Sequence, residues 1–366
     1  DRAGTYGPEA GMINYGAMCL DQRVHVAEPK LDFMQTWSEW LRVQNGYDKI
    51  HYPSVGQKLT GDKRFIYTLR DLATYVHVDQ LYQPYLNACL ILLEMGAPLD
   101  PSFGKLGGHS PHYHFSAVSQ RNAGGFALYG GPHVLTLVTE VATRALKAVR
   151  FQKFNNHIRC RPEALAARME KAEVLTQCYP SICDCLERMC NGIEPTIKAI
   201  RGFNSTAVGQ STALLPMAFE EGSPMHPAYG AGHATVAGAC VTMLKAFFDT
   251  GAIFGEAGGE IGFHKSSENV TPLQVEAMDS GETLRIAKLE GCPLSLEGEL
   301  NKLAANIAIG RNMAGVHYFS DYYDSLRMGE QIALGILEEQ ALCYPQDPFV
   351  VSVPTFDGGI RRIGKR

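Results

Sequence analysis

Seven segments in which apolar residues recur at helical spacing decide most of what this chain can fold into. They run over Leu31–Val43, Leu69–Met95, Val134–Phe154, Pro162–Ala172, Ala231–Thr250, Leu300–Val316 and Tyr322–Leu342. A repeat near 3.6 residues buries one stripe of a helix, whereas the period-two alternation of a half-buried strand is scarce. The expected fold class is therefore all-α, a helix-bundle protein with long irregular loops and little strand. Two connections, Asp100–Gly131 and Ser205–Gly232, are rich in Gly, Pro, Ser and Asn and too long to be simple helix links. Loops of that kind often carry function.

The segments suggest three parts: residues 1–130 as an N-terminal helical part of the same fold, 131–345 as the helix-bundle core, and 346–366 as a C-terminal tail. The basic run within Asp357–Arg366 reads as a solvated terminus, and Gly255–Gly262 as the most flexible-looking segment. At 45% hydrophobic and 19% charged residues, the 366-residue chain can bury a substantial core. A formal net charge of −5 argues against a nucleic-acid partner but leaves room for a local cationic pocket. No uncharged apolar run reaches membrane-spanning length, so no membrane partner is expected and the protein should be soluble. The chain opens at Asp1 with no basic stretch leading into an apolar one, so a signal peptide is not expected within it, and its localisation cannot be read. Among ten cysteines, the cluster Cys178, Cys183, Cys185 and Cys190 fits neither a zinc-finger spacing nor a small disulfide scaffold. Isolated thiols or one or two bridges are expected instead.

Three short segments carry the chemistry. In Lys153-Phe-Asn-Asn-His-Ile-Arg-Cys-Arg161-Pro162, proline suits the first turn of a helix, which puts Arg161 at a helix entry beside exposed backbone donors. In His226-Pro-Ala-Tyr-Gly-Ala231-Gly232-His233, glycine before an apolar helical run lets free N–H groups approach an oxyanion, with His233 in the first turn. In Arg311-Asn-Met-Ala-Gly-Val-His317-Tyr-Phe-Ser-Asp321, the histidine follows the arginine by six residues, and Asp321 can contact it if the helix continues or bends there. Taken alone, each has a bland alternative: a solvated cation, a helix-entry histidine, a structural histidine.

Together and in this order, the segments resemble the signature shared by vanadium haloperoxidases and the phosphatidic-acid-phosphatase-like acid phosphatases. The likeness extends to Arg-Pro-Glu-Ala-Leu at 161–165, Met-His-Pro-Ala-Tyr at 225–229 and the helix Leu303–Gly315, which look like the bromoperoxidases of red algae and cyanobacteria. It covers at least Gly124–Leu342. Members of that family are usually longer, so this chain is expected to match the C-terminal part of one.

The resemblance implies vanadate as cofactor, hydrogen peroxide and bromide as substrates, and an organic acceptor for the hypohalous acid formed. It implies that Lys153, Arg161 and Arg311 bind the oxyanion together with the turn Ala231–Gly232, through the Gly232 N–H, since such an anion needs several fixed charge-assisted donors. His317 would ligate vanadium, with Asp321 fixing its tautomer. His233 would be the acid/base, a task suited to a pKa near neutrality, and Lys153 would assist catalysis. Arg150 and His226 would favour bromide, and iodide or chloride remain open. Calcium as a structural ion and a homo-oligomer are implied by analogy alone.

One position departs from the pattern. Where the family commonly has a serine before Gly-His, this chain has Ala231. Two other functions stay open: an acid phosphatase using His317 as nucleophile, and a catalytically silent anion-binding helical subunit. The loop histidines His109, His112 and His114 read as structural, with no carboxylate nearby to support a metal.

Overall fold

A computed structural model describes residues 10–46, 58–106, 130–343 and 350–364, so the histidines at 109, 112 and 114 lie outside the described residues. The first described elements are a hairpin of β1 (Met12–Tyr15) and β2 (Met18–Asp21), then β3 (Val24–Ala27), which pairs antiparallel with β4 (Leu59–Arg64) across α1 (Trp37–Gln44). Next come α2 (Leu69–Val78), α3 (Gln83–Glu94), α4 (Gly131–Gln152), α5 (Pro162–Glu170), α6 (Ala172–Cys178), α7 (Cys183–Gly192), α8 (Glu194–Val208) and α9 (Gly232–Phe247). A four-stranded antiparallel sheet of β5 (Ile253–Ala257), β6 (Glu260–His264), β7 (Thr271–Met278) and β8 (Thr283–Lys288), in the order β6-β5-β7-β8, precedes α10 (Leu296–Met313) and α11 (Phe319–Cys343). The hairpin of β9 (Val350–Pro354) and β10 (Ile360–Gly364) follows. The molecule is mostly helical, as its periodicity requires.

α9 is the centre of the bundle. Every residue from Ala234 to Phe247 is buried, because the helix is apolar all round and is packed by α4, α10 and α11. Small residues let α11 come close. A Cβ on Gly238 would stand 2.0 Å from the Leu326 carbonyl oxygen, and one on Gly329 would stand 2.0 Å from that of Thr235. α4 contributes Val134, Leu137, Val138, Val141 and Ala145 to the same core, and buried Val149 continues the stripe toward Lys153. Among the described residues no helix is long and apolar enough to cross a membrane.

The sequence reading departs from the structure at the following places, each for a physical reason. Leu69–Met95 is two helices: Asp79 leaves the helical conformation at ψ 157°, and Pro84 starts α3. Gly255–Gly262 is a tight hairpin in which Ala257 faces Glu260 across Gly258 and Gly259, both at positive φ, the geometry of two-residue hairpin turns. The terminal segment is not freely solvated either, since Val351, Val353 and Ile363 join the main core. There Phe356 N–H donates to Glu330 at 2.8 Å, beside the buried Lys245 ammonium 4.2 Å above the Phe356 ring.

Candidate active site

Lys153 opens a π-helical turn, Lys153–His157, that ends α4 and is closed by Ile158 at φ +40°. Such widened turns occur often at functional sites. The side chain is 1% exposed, and its Nζ donates to the carbonyls of Pro227 at 2.8 Å and Ala228 at 3.2 Å. Arg161 is the N-cap of α5, with Pro162 at the first helical position. Its Nε donates to the His226 carbonyl at 2.8 Å and Nη1 to that of Val316 at 2.8 Å. Nη1 also lies 3.1 Å from His317 Nε2, and Nη2 lies 2.9 Å from His226 Nδ1. One guanidinium thus ties the second segment to the third.

Arg311 occupies the last turn of α10. Its Nη1 donates to the Val76 carbonyl at 2.8 Å, the group lies over the Phe219 ring, and buried Nε has no partner among the described residues. α10 does not run on to His317. Gly315, at φ +82°, turns the chain, and the Val316 N–H returns to the Arg311 carbonyl at 3.2 Å in a helix-terminating motif. His317 therefore projects from the bend between α10 and α11. Asp321, in the first turn of α11, meets it from the other side.

The distance from His317 Nδ1 to Asp321 Oδ2 is 3.0 Å, and the same carboxylate accepts from Tyr318 N at 3.0 Å and from Arg159 Nη1 at 2.6 Å. An ionised carboxylate only accepts, so this network assigns the proton to Nδ1 and the lone pair to Nε2. Burial raises the Asp321 carboxyl, but hydrogen bonds from His317, Tyr318 and Arg159 outweigh it and hold the group below its usual range. Burial first, and then the charges of Arg161, Lys153 and Arg311 against the opposing pull of Asp321, push His317 down to about 3. Burial and then Arg161 bring Lys153 to about 7, and burial brings Arg161 and Arg311 each to about 10. The pocket is short of negative charge.

His233, in the first turn of α9, places Nε2 3.1 Å from Asp79 Oδ1. Burial, followed by Arg311 and Lys153, lowers its pKa against the opposing effect of the hydrogen bond it donates to Asp79. Gly232 is the first residue of α9, where helix geometry provides no intrahelical acceptor for the N–H. Ala231 is the N-cap, 1% exposed, and its N–H donates to Ser325 Oγ at 2.8 Å. His226 is half-buried, and burial, then Lys153 and Arg161, push it down to about 4. Arg150 stands apart: exposed on α4, it reaches the Phe154 ring at 5.6 Å, and that ring in turn is 6.5 Å from His226.

Lys153, Arg161, His226, Arg311, His317 and Asp321 are thus brought together, with His233 beside them. Three contributors escaped the sequence reading: Asp79, Arg159 and Ser325. Pro84 was the signal for Asp79, because a helix start there forces a turn just before it. Nothing in spacing alone points to Arg159 or Ser325. Among the described residues no three His, Cys, Asp or Glu side chains gather to hold a cation.

A family model described as the VCPO second helical-bundle domain matches residues 194–342. Over 356 residues the chain is 45% identical to a vanadium-dependent bromoperoxidase of Corallina pilulifera, an alignment covering 95% of this chain and 54% of the relative. The chain is a homologue of the vanadium-dependent bromoperoxidases. The bromoperoxidase of Corallina officinalis is 44% identical over the same shares, and that of Ascophyllum nodosum 31% identical over 90% of this chain and 53% of its own. The chain thus spans about half the length of the curated bromoperoxidases it matches. The fold agrees with the homohexameric second vanadate-dependent bromoperoxidase of Ascophyllum nodosum, at a TM-score of 0.71 and 23% identity over 96% of this chain and 57% of that one.

Proposed function

We propose that this chain binds vanadate and carries the catalytic centre of an enzyme that oxidises bromide with hydrogen peroxide: H2O2, Br− and H+ give HOBr and water, and the HOBr halogenates an organic acceptor. The observation that supports this most is the convergence of three buried cations, Lys153, Arg161 and Arg311, on His317, whose Nε2 lone pair is not committed to a carboxylate. The donor set fits an oxyanion. Among the described residues these cations bond to carbonyls and imidazole nitrogens, and buried Arg311 Nε has no hydrogen-bond partner. An anion supplies the charge the pocket lacks.

Lys153, Arg161, Arg311 and the Gly232 N–H hold the oxygens, and His317 Nε2 takes the metal. Arg161 Nη1 and a metal compete for that single lone pair, so Arg161 gives up this bond when His317 serves as ligand. Bound vanadate supplies Lewis acidity that activates peroxide. His233, with Nε2–H on Asp79, accepts a proton from hydrogen peroxide at Nδ1. Asp321 keeps the His317 proton on Nδ1. His226 lines the bromide approach and Arg150 adds positive charge to it from the exposed side of α4, and the chain assembles with copies of itself, as its homohexameric structural neighbour does.

The test is bromide-dependent halogenation of a dye by metal-stripped protein before and after vanadate is added. Activity is expected only afterwards, and His317→Ala should abolish it with the circular dichroism unchanged. Phosphatase turnover inhibited by vanadate would replace this reading with an acid phosphatase. Neither turnover, with vanadate bound, would leave an anion-binding subunit.

A further inference from the structure

Arg159 lies two residues before Arg161 and is 41% exposed, yet its guanidinium reaches inward to a carboxylate that is fully buried. Nη1 donates to Asp321 Oδ1 at 2.6 Å and to Ser320 Oγ at 2.8 Å. The guanidinium carbon stands 5.2 Å from the ring centres of both Tyr229 and Tyr318. Those rings are themselves pinned: Tyr229 OH donates to Asp324 at 2.9 Å, and Tyr318 OH to the Cys160 carbonyl at 3.1 Å. The Arg159 carbonyl accepts from Ala228 N–H at 2.9 Å. A single residue therefore joins the loop before α5, the loop before α9 and the first turn of α11.

We propose that Arg159 is a positioning residue for His317. Asp321 has two oxygens with different duties. Oδ2 accepts from the His317 imidazole and the Tyr318 N–H, while Oδ1 is held by Arg159. With Oδ1 anchored, the carboxylate plane is fixed and Oδ2 stays on the Nδ1 side of the ring, so Nε2 points at the cationic pocket. A planar guanidinium near two aromatic rings suits this because its donor direction is restricted by the rings that flank it. Removing it leaves Asp321 held by the Tyr318 N–H alone and free to rotate, so the carboxylate's hold on the Nδ1 proton weakens and only the Arg161 contact at Nε2 still favours that tautomer.

The affinity arm of the test rests on the vanadate reading, whereas the tautomer arm does not. Arg159→Met keeps the stem without the donors, and Arg159→Lys returns a charge within reach of Asp321. NMR of the His317 ring nitrogens in vanadate-free protein should show one Nδ1–H tautomer in the parent, a mixture in R159M and recovery in R159K. Equilibrium dialysis should show vanadate binding weakened roughly 10- to 100-fold in R159M and largely restored in R159K. Should R159M fail to fold, R159Q takes its place. A single Nδ1–H tautomer in R159M overturns the proposal, whatever the affinity does. If the parent binds no vanadate, the functional reading falls and the ring nitrogens alone decide the role of Arg159.

Discussion

His233 Nε2 and Asp79 Oδ1, 154 residues apart in sequence, stand 3.1 Å apart and join the first turn of α9 to the end of α2. The carboxylate commits the Nε2 proton and leaves Nδ1 able to accept another. Asp79→Asn keeps the shape but can offer an N–H to Nε2, which favours the wrong tautomer. Bromide turnover should fall roughly 10- to 100-fold, the usual cost of losing such an orienting partner. Steady-state kinetics with circular dichroism would check this, and unchanged turnover in the folded variant would remove His233 from the proton-transfer role.

Lys153 gives a pH dependence. Burial and Arg161 bring its ammonium down to about 7, so near neutrality it is part charged and part neutral. Sulfate keeps its charge throughout this range and prefers the ammonium form. Its affinity for vanadate-free protein should therefore fall as pH rises through about 7, by roughly tenfold or more for one charge-assisted hydrogen bond. Calorimetric titration between about pH 6 and 9, which brackets the Lys153 titration, would measure it. In Lys153→Met the slope should vanish; a slope that persists assigns the titration to another group.

Close packing of α9 on α11 makes a stability prediction with its own control. A Cβ at Gly329 would stand 2.0 Å from the Thr235 carbonyl oxygen, a backbone atom that cannot swing aside. Gly329→Ala should cost about 1–3 kcal/mol or more, as overpacking does. At Gly335, exposed on the same helix, a Cβ meets nothing within 4 Å, so Gly335→Ala should stabilise by about 0.5–1 kcal/mol. Urea unfolding of both variants reads the difference, and equal effects would contradict the close approach.

What could be read from sequence follows from the range of each interaction. The helices of the core announce themselves because burial imposes a period on neighbouring residues, as in Val134, Leu137, Val138 and Val141. α6, α7 and α8 left no such mark: few of their residues are buried, so no periodic apolar stripe was required of them. The four-stranded sheet escaped because β5 and β6 are short and each carries a glycine, and the pairing partners of all four strands are set by contacts rather than local pattern. Lys153, Arg161, Arg311 and His317 were legible through their segments. Asp79 and Arg159 act through hydrogen bonds to residues 154 and 162 positions away; Pro84 marks the turn that holds Asp79 but not its partner, and Arg159 has no local signal at all.

Ala231 offers the sharpest test of the site, because two effects of one atom can be separated. As N-cap of α9 it has extended backbone angles, φ −82° and ψ 119°, and makes no side-chain cap. A serine hydroxyl there can accept from an N–H in the first turn, a capping interaction typically about 1 kcal/mol better than alanine. Ala231→Ser should thus raise stability without any anion present. The Ala231 N–H bond to Ser325 Oγ at 2.8 Å uses the backbone and need not be lost. If the hydroxyl instead turns toward the oxyanion, it becomes a donor beside the Gly232 N–H and should raise bromide turnover, with a ceiling of about a hundred- to thousandfold set by other oxyanion donors. The hydroxyl has one proton, but its oxygen can accept at the same time, so the two effects need not exclude each other. Thermal unfolding of vanadate-free protein isolates the cap; turnover and vanadate affinity at matched occupancy isolate the donor. A gain in stability with no change in either of the latter would mean that the side chain faces the helix and not the anion, and the placement of vanadate against the start of α9 would then have to be given up.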